Sequence, residues 1–344
     1  MSWYAVDSVD EAIDASQSLL SPIELGKWLR LALIALFVGV GGGGVSVFFN
    51  LVSLPSSLPA EPTPAPTEPS VEALPIEPVV VAAIVGVTVL VTLALGLLSE
   101  TLRLVFYDAL RTGTVRIRGP ARRRFGQALR LFGFKLFVGI VFALPFVVVI
   151  GVGATLSWAA FSVGEVVLIG VAVFAALGSM LWILANLFIM RVTQEFVTPV
   201  MVRTDSGVLA GWGRFWPVLR ENLAQFGVYV VVHFLLLLAI SIGQSLVGAI
   251  VFGIIGTVGA LVGFLVVVGV FGGLSGALAS TIGLVAVGAV VLLTLLVTAI
   301  VFLPIKVVVL TYVFSYELSV LGAADEELRL LPTDDDSETA ASTG

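Results

Sequence analysis

Residues 222–305 read NLAQFGVYVVVHFLLLLAISIGQSLVGAIVFGIIGTVGALVGFLVVVGVFGGLSGALASTIGLVAVGAVVLLTLLVTAIVFLPI, 84 residues without one Asp, Glu, Lys or Arg. Water offers nothing to hold such a segment at a protein surface. As helix it would extend roughly 126 Å, about four bilayer cores. The runs are continuously apolar and do not alternate, which argues against a membrane barrel. The whole chain agrees, with 59% hydrophobic residues and 12% charged. A soluble domain carries about 25% charged residues. The expected fold is all-α, a polytopic transmembrane helix bundle of about six spans, or seven, with amphipathic cytoplasmic connecting helices.

Working outward, the cations cluster. Arg103, Arg111, Arg116, Arg118, Arg122, Arg123, Arg124 and Arg130 form one group, and Arg191, Arg203, Arg214 and Arg220 another. Both fall between apolar runs, which places both loops (108–130 and 191–221) in the cytoplasm by the positive-inside rule. The domain reading follows: 1–26 a cytoplasmic N-terminal segment, 27–322 a transmembrane helical domain, 323–344 an acidic disordered tail. Within the middle region, spans are expected at about 28–52, 79–98, 132–156 and 166–190. A Pro-rich, Glu-containing external loop covers 54–78. Pro145 predicts a kink. In 222–305 hydropathy suggests segments at 226–253, 254–271 and 284–312, with Gly272 to Gly283 a turn or re-entrant bend. Three spans there give seven in all; two give six. Gly259/Gly263 and Gly272/Gly276 have the small-xxx-small spacing that permits close helix approach. The Gly41-Gly42-Gly43-Gly44 run sits in the first span. Residues 6–23 form a solvated helix with Val6, Val9, Ile13 and Leu20 on one face. No cleavable leader is expected, since acids precede any base; the first span is expected to act as the insertion signal. The predicted location is the cell membrane, multi-pass, N-terminus cytoplasmic.

Chemistry is restricted from the start. Cysteine is absent, which excludes thiolate metal sites and a cysteine nucleophile. There is one histidine, His233, too few for ordinary zinc chemistry. No HExxH pair, GxSxG elbow or paired intramembrane aspartates occur. No enzyme activity, cofactor, metal or nucleic-acid partner is therefore expected; the bases are few and apposed to the membrane. The expected partners are membrane lipids and proteins at the cytoplasmic face.

Three polar residues carry the sharper alternatives. Glu195 lies one turn after Arg191, a spacing that predicts an ion pair; a proton- or ion-handling carboxylate is the other reading. Glu100 and Arg103 predict an interface pair. His233 is expected as hydrogen-bonded glue between helices or as a functional intramembrane group. Lys306 is expected to snorkel or to pair with Glu317. Trp212, Arg214, Phe215, Trp216 and Arg220 read as an interfacial segment with aromatics at headgroup depth and arginines on phosphate. With Arg122, Arg123 and Arg124 they form the candidate lipid- or partner-facing set.

The two basic loops echo one another. Arg111-Thr112-Gly113, Arg124-Phe125 and Phe132-Gly133 match Arg203-Thr204-Asp205, Arg214-Phe215 and Phe226-Gly227. The segment Gln194-Glu195-Phe196-Val197-Thr198-Pro199-Val200-Met201-Val202, followed by Gly211-Trp212-Gly213-Arg214-Phe215-Trp216-Pro217, resembles uncharacterised haloarchaeal integral membrane proteins. It is similar more broadly to the membrane domain found beside glycerophosphodiester phosphodiesterases. The acidic, lysine-poor composition fits a haloarchaeal source. Pro304, Tyr312 and Tyr316-Glu317-Leu318 resemble that group's last helix, which ends inside. The resemblance implies a membrane module, six spans and no hydrolase activity, since the phosphodiesterase's catalytic domain has no counterpart. The expected function is a non-catalytic membrane module that organises lipid or partner proteins through its basic face. The alternative is a transporter or channel with a Gly-rich core.

Overall fold

The computed structural model describes residues 3–38, 78–155 and 165–332. In chain order the helices are α1 (Tyr4–Leu20), α2 (Leu25–Phe37), α3 (Pro78–Thr112), α4 (Arg118–Thr155), α5 (Glu165–Val192), a π turn (Thr193–Val197), α6 (Thr198–Thr204) and α7 (Val208–Glu221). There follow α8 (Leu223–Phe264), a second π turn (Leu265–Val270), α9 (Leu274–Ala279), α10 (Thr281–Ala324) and a 3-10 turn (Glu326–Leu328). All regular structure among the described residues is helical. Five helical stretches are long and apolar enough to cross a membrane: Ala82–Thr112, Arg118–Val148, Val173–Thr204, Leu223–Val270 and Thr281–Ala324. Among the described residues these are five of the six or seven spans expected. Of the expected first span only α2 is described; its remainder, with the four-glycine run and the Pro-rich loop, lies outside the described residues.

The helices group into two compact units, Phe37–Val218 and Met1–Leu36 with Leu219–Gly344. α1 belongs with the C-terminal helices in the second of these.

In the Phe37–Val218 unit, α3 and α4 pair. Gly96 lets them close: a Cβ there would stand 2.8 Å from the Phe132 ring. α5 docks on α4 through Trp182, whose indole N–H donates to the Phe142 carbonyl at 3.0 Å while its ring lies 4.5 Å from the Phe142 ring. Pro145 stands inside α4 and lacks the N–H that would bond the neighbouring Val141 carbonyl.

In the other unit, α8 and α10 form a hairpin. The register is set by close approaches of Gly248 to Phe302, Gly259 to Thr294 and Gly263 to Val290. The two segments expected at 226–253 and 254–271 are one helix closed by the second π turn, and Gly248, Gly259 and Gly263 along it lie against α10. The bend at Gly272 to Gly283 is a turn at Phe271–Gly273 followed by α9. Gly272 and Gly273 take φ of 68° and 133°, conformations that L side chains resist.

α1 packs on α10 and α8 through Ala5, Ser8, Ala12, Ser16 and Leu19, all buried. The expected face was another one: Val6 and Ile13 are exposed. Small residues win because they let two helix backbones approach closely. Tyr316 then reaches across α1 and donates its hydroxyl to the Ala5 carbonyl at 3.0 Å.

Candidate functional site

The end of α3 carries Glu100, Arg103 and Asp108 at spacings of three and five residues. α4 begins with arginines and carries Lys135 further on. Pairing the two helices brings these charges together. Lys135 Nζ lies 2.7 Å from Glu100 Oε1, and Arg103 Nε 3.8 Å from the other Glu100 oxygen. Lys135 was missed as a partner because it is 35 residues from Glu100; helix pairing, not local spacing, unites them.

One turn beyond, Asp108 is nearly buried and accepts from Arg123 at 2.5 Å and from Arg124 at 3.1 Å. Arg124 also pairs with Asp205 and donates to Gln127 Oε1 at 3.0 Å. Gln127 in turn donates its amide to the Met201 and Ser206 carbonyls at 3.2 and 3.3 Å, satisfying the end of α6. The two basic loops are thus stitched to each other. Both helices leading into them end on Arg-Thr and a left-handed residue, Gly113 (φ 64°) after α3 and Asp205 (φ 51°) after α6. That is the structural content of the sequence echo. It does not extend to the next pair, for Phe125 is 49% exposed and Phe215 fully buried.

Arg124 is 2% exposed and leaves the surface set in which it was placed. Two carboxylates and a glutamine take its two terminal NH2 groups, so it acts as a strut. Arg122 and Arg214 are exposed, and Arg123 keeps most of its guanidinium in the open.

Glu195 lies in the π turn. Pro199 explains the turn: it has no N–H for the Glu195 carbonyl four residues back, and its ring clashes there. The helix widens, so that the Thr198 backbone N–H bonds Thr193 O, five residues back. The Thr198 hydroxyl joins it at 2.7 Å, and Tyr107 donates to the Gln194 carbonyl at 3.2 Å. The expected ion pair is present, with Arg191 Nε 2.6 Å from Glu195 Oε1, and Glu195 is 6% exposed. π turns recur at functional positions.

α7 packs against this turn. Gly211 admits it, for a Cβ there would come within 2.9 Å of Val197 and 3.2 Å of Met201. Phe215 stacks on Phe196 at 5.0 Å, and the Trp212 indole donates to the Thr193 hydroxyl at 3.1 Å, holding Trp212 half-buried. With Val208, Gly211, Phe215 and Val218 turned in, Leu209, Arg214, Trp216 and Arg220 are left exposed.

His233 belongs to the other unit, 1% exposed on α8, with ring centroids 5.1 Å from Tyr229 and 6.0 Å from Tyr316 on α10. Lys306 does not pair with Glu317: they lie eleven residues apart on α10, and its ammonium stands 3.5 Å from the Leu36 carbonyl.

Residues 3–331 match the model of a family of unknown function (DUF7544). No curated protein and no solved structure matches the chain. The chain belongs to the DUF7544 family.

Proposed function

We propose that this DUF7544 member is a non-catalytic, multi-pass module of the cell membrane that gathers anionic lipid on its arginine-rich side. The observation that carries the reading is the outward face of α7. Leu209 and Trp216 are apolar and exposed, Arg220 lies one turn from Trp216, and Arg214 is exposed further round the same helix. Such a face suits headgroup depth, with the rings among acyl carbonyls and the guanidiniums on phosphate. Arg111, Arg116, Arg118, Arg122 and Arg203 add exposed positive charge at the two loops. That excess assigns this side to the cytoplasm. The N-terminus is proposed to lie in the cytoplasm as well. A haloarchaeal source remains part of the reading, on the acidic, lysine-poor composition. So does kinship with the membrane domain beside glycerophosphodiester phosphodiesterases, on the Phe-Val-x-Pro and Trp/Arg/Phe-Trp segments. The module then serves a separate protein's chemistry or none.

The test is native mass spectrometry of protein released from bilayers of mixed anionic and neutral phospholipid. Wild type is expected to retain anionic lipid preferentially, and the triple variant Arg118→Gln, Arg122→Gln, Arg214→Gln to lose that preference at unchanged melting temperature. Equal retention by both would end the proposal. A transport role is the second reading, favoured by a buried carboxylate on a π turn in a candidate span. Solute flux through reconstituted wild type, abolished by Glu195→Gln, would replace the first reading with this one.

A further inference from the structure

Along α3 the exposed large apolar residues run from Val79 to Leu98, and along α10 from Ile282 to Val308. These lengths are roughly 30 and 40 Å. A hydrocarbon core of about 30 Å covers the first and falls about 10 Å short of the second. α8 differs. Its exposed large apolar residues run from Val230 through the second π turn to Val270. That is roughly 60 Å, about 30 Å more than the hydrocarbon core and some three times the excess on α10.

The hairpin register locates the surplus. Gly248 faces Phe302 and Gly259 faces Thr294, so residues 230–242 stand opposite about 310–322 of α10. There α10 is buried, with α1 packed against it. The outer face of α1 exposes Asp7, Asp10 and Asp14, which must face water. The stretch Val230–Ile242 therefore lies at an aqueous level and yet exposes Val230, Val231, Phe234, Leu235, Leu238 and Ile242, from 46% to 62% each.

We infer that this stripe is covered by the same stripe of a second copy of the chain. Val231, Leu235, Leu238 and Ile242 follow spacings of four, three and four, the a/d seam of a coiled coil. The assignment has an internal check: Tyr229 and His233 then fall at b and f, away from the seam, and both are buried against α10. Two copies inserted the same way meet in parallel about an axis along the membrane normal, so that each residue faces its own counterpart. The four seam side chains and Phe234 beside them offer about 500 Å² per copy, against the roughly 600 Å² that one partner gives the smaller stable interfaces. The seam contains no charge to oppose pairing. The inference is independent of lipid binding at α7.

Single cysteines test it in native membranes, where the chain's lack of cysteine leaves no background. Leu235→Cys and Ile242→Cys are expected to give a disulfide-linked dimer on mild oxidation, and Ser18→Cys on α1 none. In nanodiscs, wild type is expected at twice the monomer mass and Leu235→Lys/Leu238→Lys at the monomer mass. Failure of both seam cysteines to cross-link, or cross-linking equal to that of Ser18→Cys, overturns the inference. So does a monomeric wild type.

Discussion

Arg124 and Arg122 are two residues apart and chemically identical, yet burial separates their roles. Arg124 holds Asp108, Asp205 and Gln127 together, while Arg122 is exposed. Removing Arg124 leaves the Asp108 carboxylate enclosed with part of its compensation gone. Breaking a buried pair from one side costs about 3–5 kcal/mol. Arg124→Ala is accordingly expected to lower the denaturation midpoint sharply in detergent, and Arg122→Ala to shift it by less than about 0.5 kcal/mol. Equal effects would show that the network does not stabilise the fold. Sequence alone could not separate the two, because their exposure depends on the path of α6 some 80 residues later. The Arg191–Glu195 pair was legible, since it depends only on helix spacing. The Glu100–Lys135 pair was not, since it depends on helix pairing.

Glu11 is another residue-scale case. Burial pushes its carboxyl above the ordinary value of 4.5, and Arg329, 3.6 Å away, pulls the other way and loses. The folded chain therefore tolerates the neutral acid better than the ion. This contribution is fully present below the unfolded-chain value and is lost as pH rises through the folded one. Glu11→Gln mimics the neutral acid. Its stability relative to wild type is expected to rise between about pH 4 and pH 7. A wild type that instead gained on the variant across that window would mean that Arg329 dominates.

At the scale of elements, the hairpin of α8 and α10 and the short α9 at its tip rest on close contacts made at glycines. A Cβ at Gly283 would sit 2.1 Å from the Ala277 carbonyl oxygen, and one at Gly259 2.4 Å from the Thr294 hydroxyl. The first obstacle is backbone, so Gly283→Ala is expected to cost more than about 3 kcal/mol. The second is a side chain that can be trimmed. Gly259→Ala is expected to destabilise, and Thr294→Ala to restore much of the loss in the double variant. Independent, additive costs would place the strain elsewhere. Hydropathy divided α8 at Gly253, where the helix runs on; Gly248 and Gly259 on either side are its docking points against α10. The N-terminal helix shows the converse error. Its existence was legible from periodicity, but its packing face was not, because alanine and serine score weakly on any hydrophobic scale.

For the whole molecule the remaining question is which ends share a compartment, and each unit supplies its own answer. In the Phe37–Val218 unit, Arg124 pairs with Asp108 and with Asp205, and Gln127 with the Ser206 carbonyl. The turns after α3 and α6 must then open on one side of the bilayer. Thr112→Cys and Ser206→Cys are expected to label together with an impermeant maleimide in sealed vesicles. In the other unit α8 runs out and α10 returns, with α1 packed on their open end. Ser275→Cys at the tip is expected to label from the side opposite to Ser18→Cys. Thr112 and Ser206 labelling from different sides would contradict the buried ion-pair network itself, since no charged strut of that length crosses a bilayer. Ser275 and Ser18 labelling together would mean that the hairpin enters and leaves on one face. Its roughly 60 Å of apolar surface would then lie along the membrane rather than through it, and the seam proposed on α8 would be covered by lipid, leaving no need for a second copy.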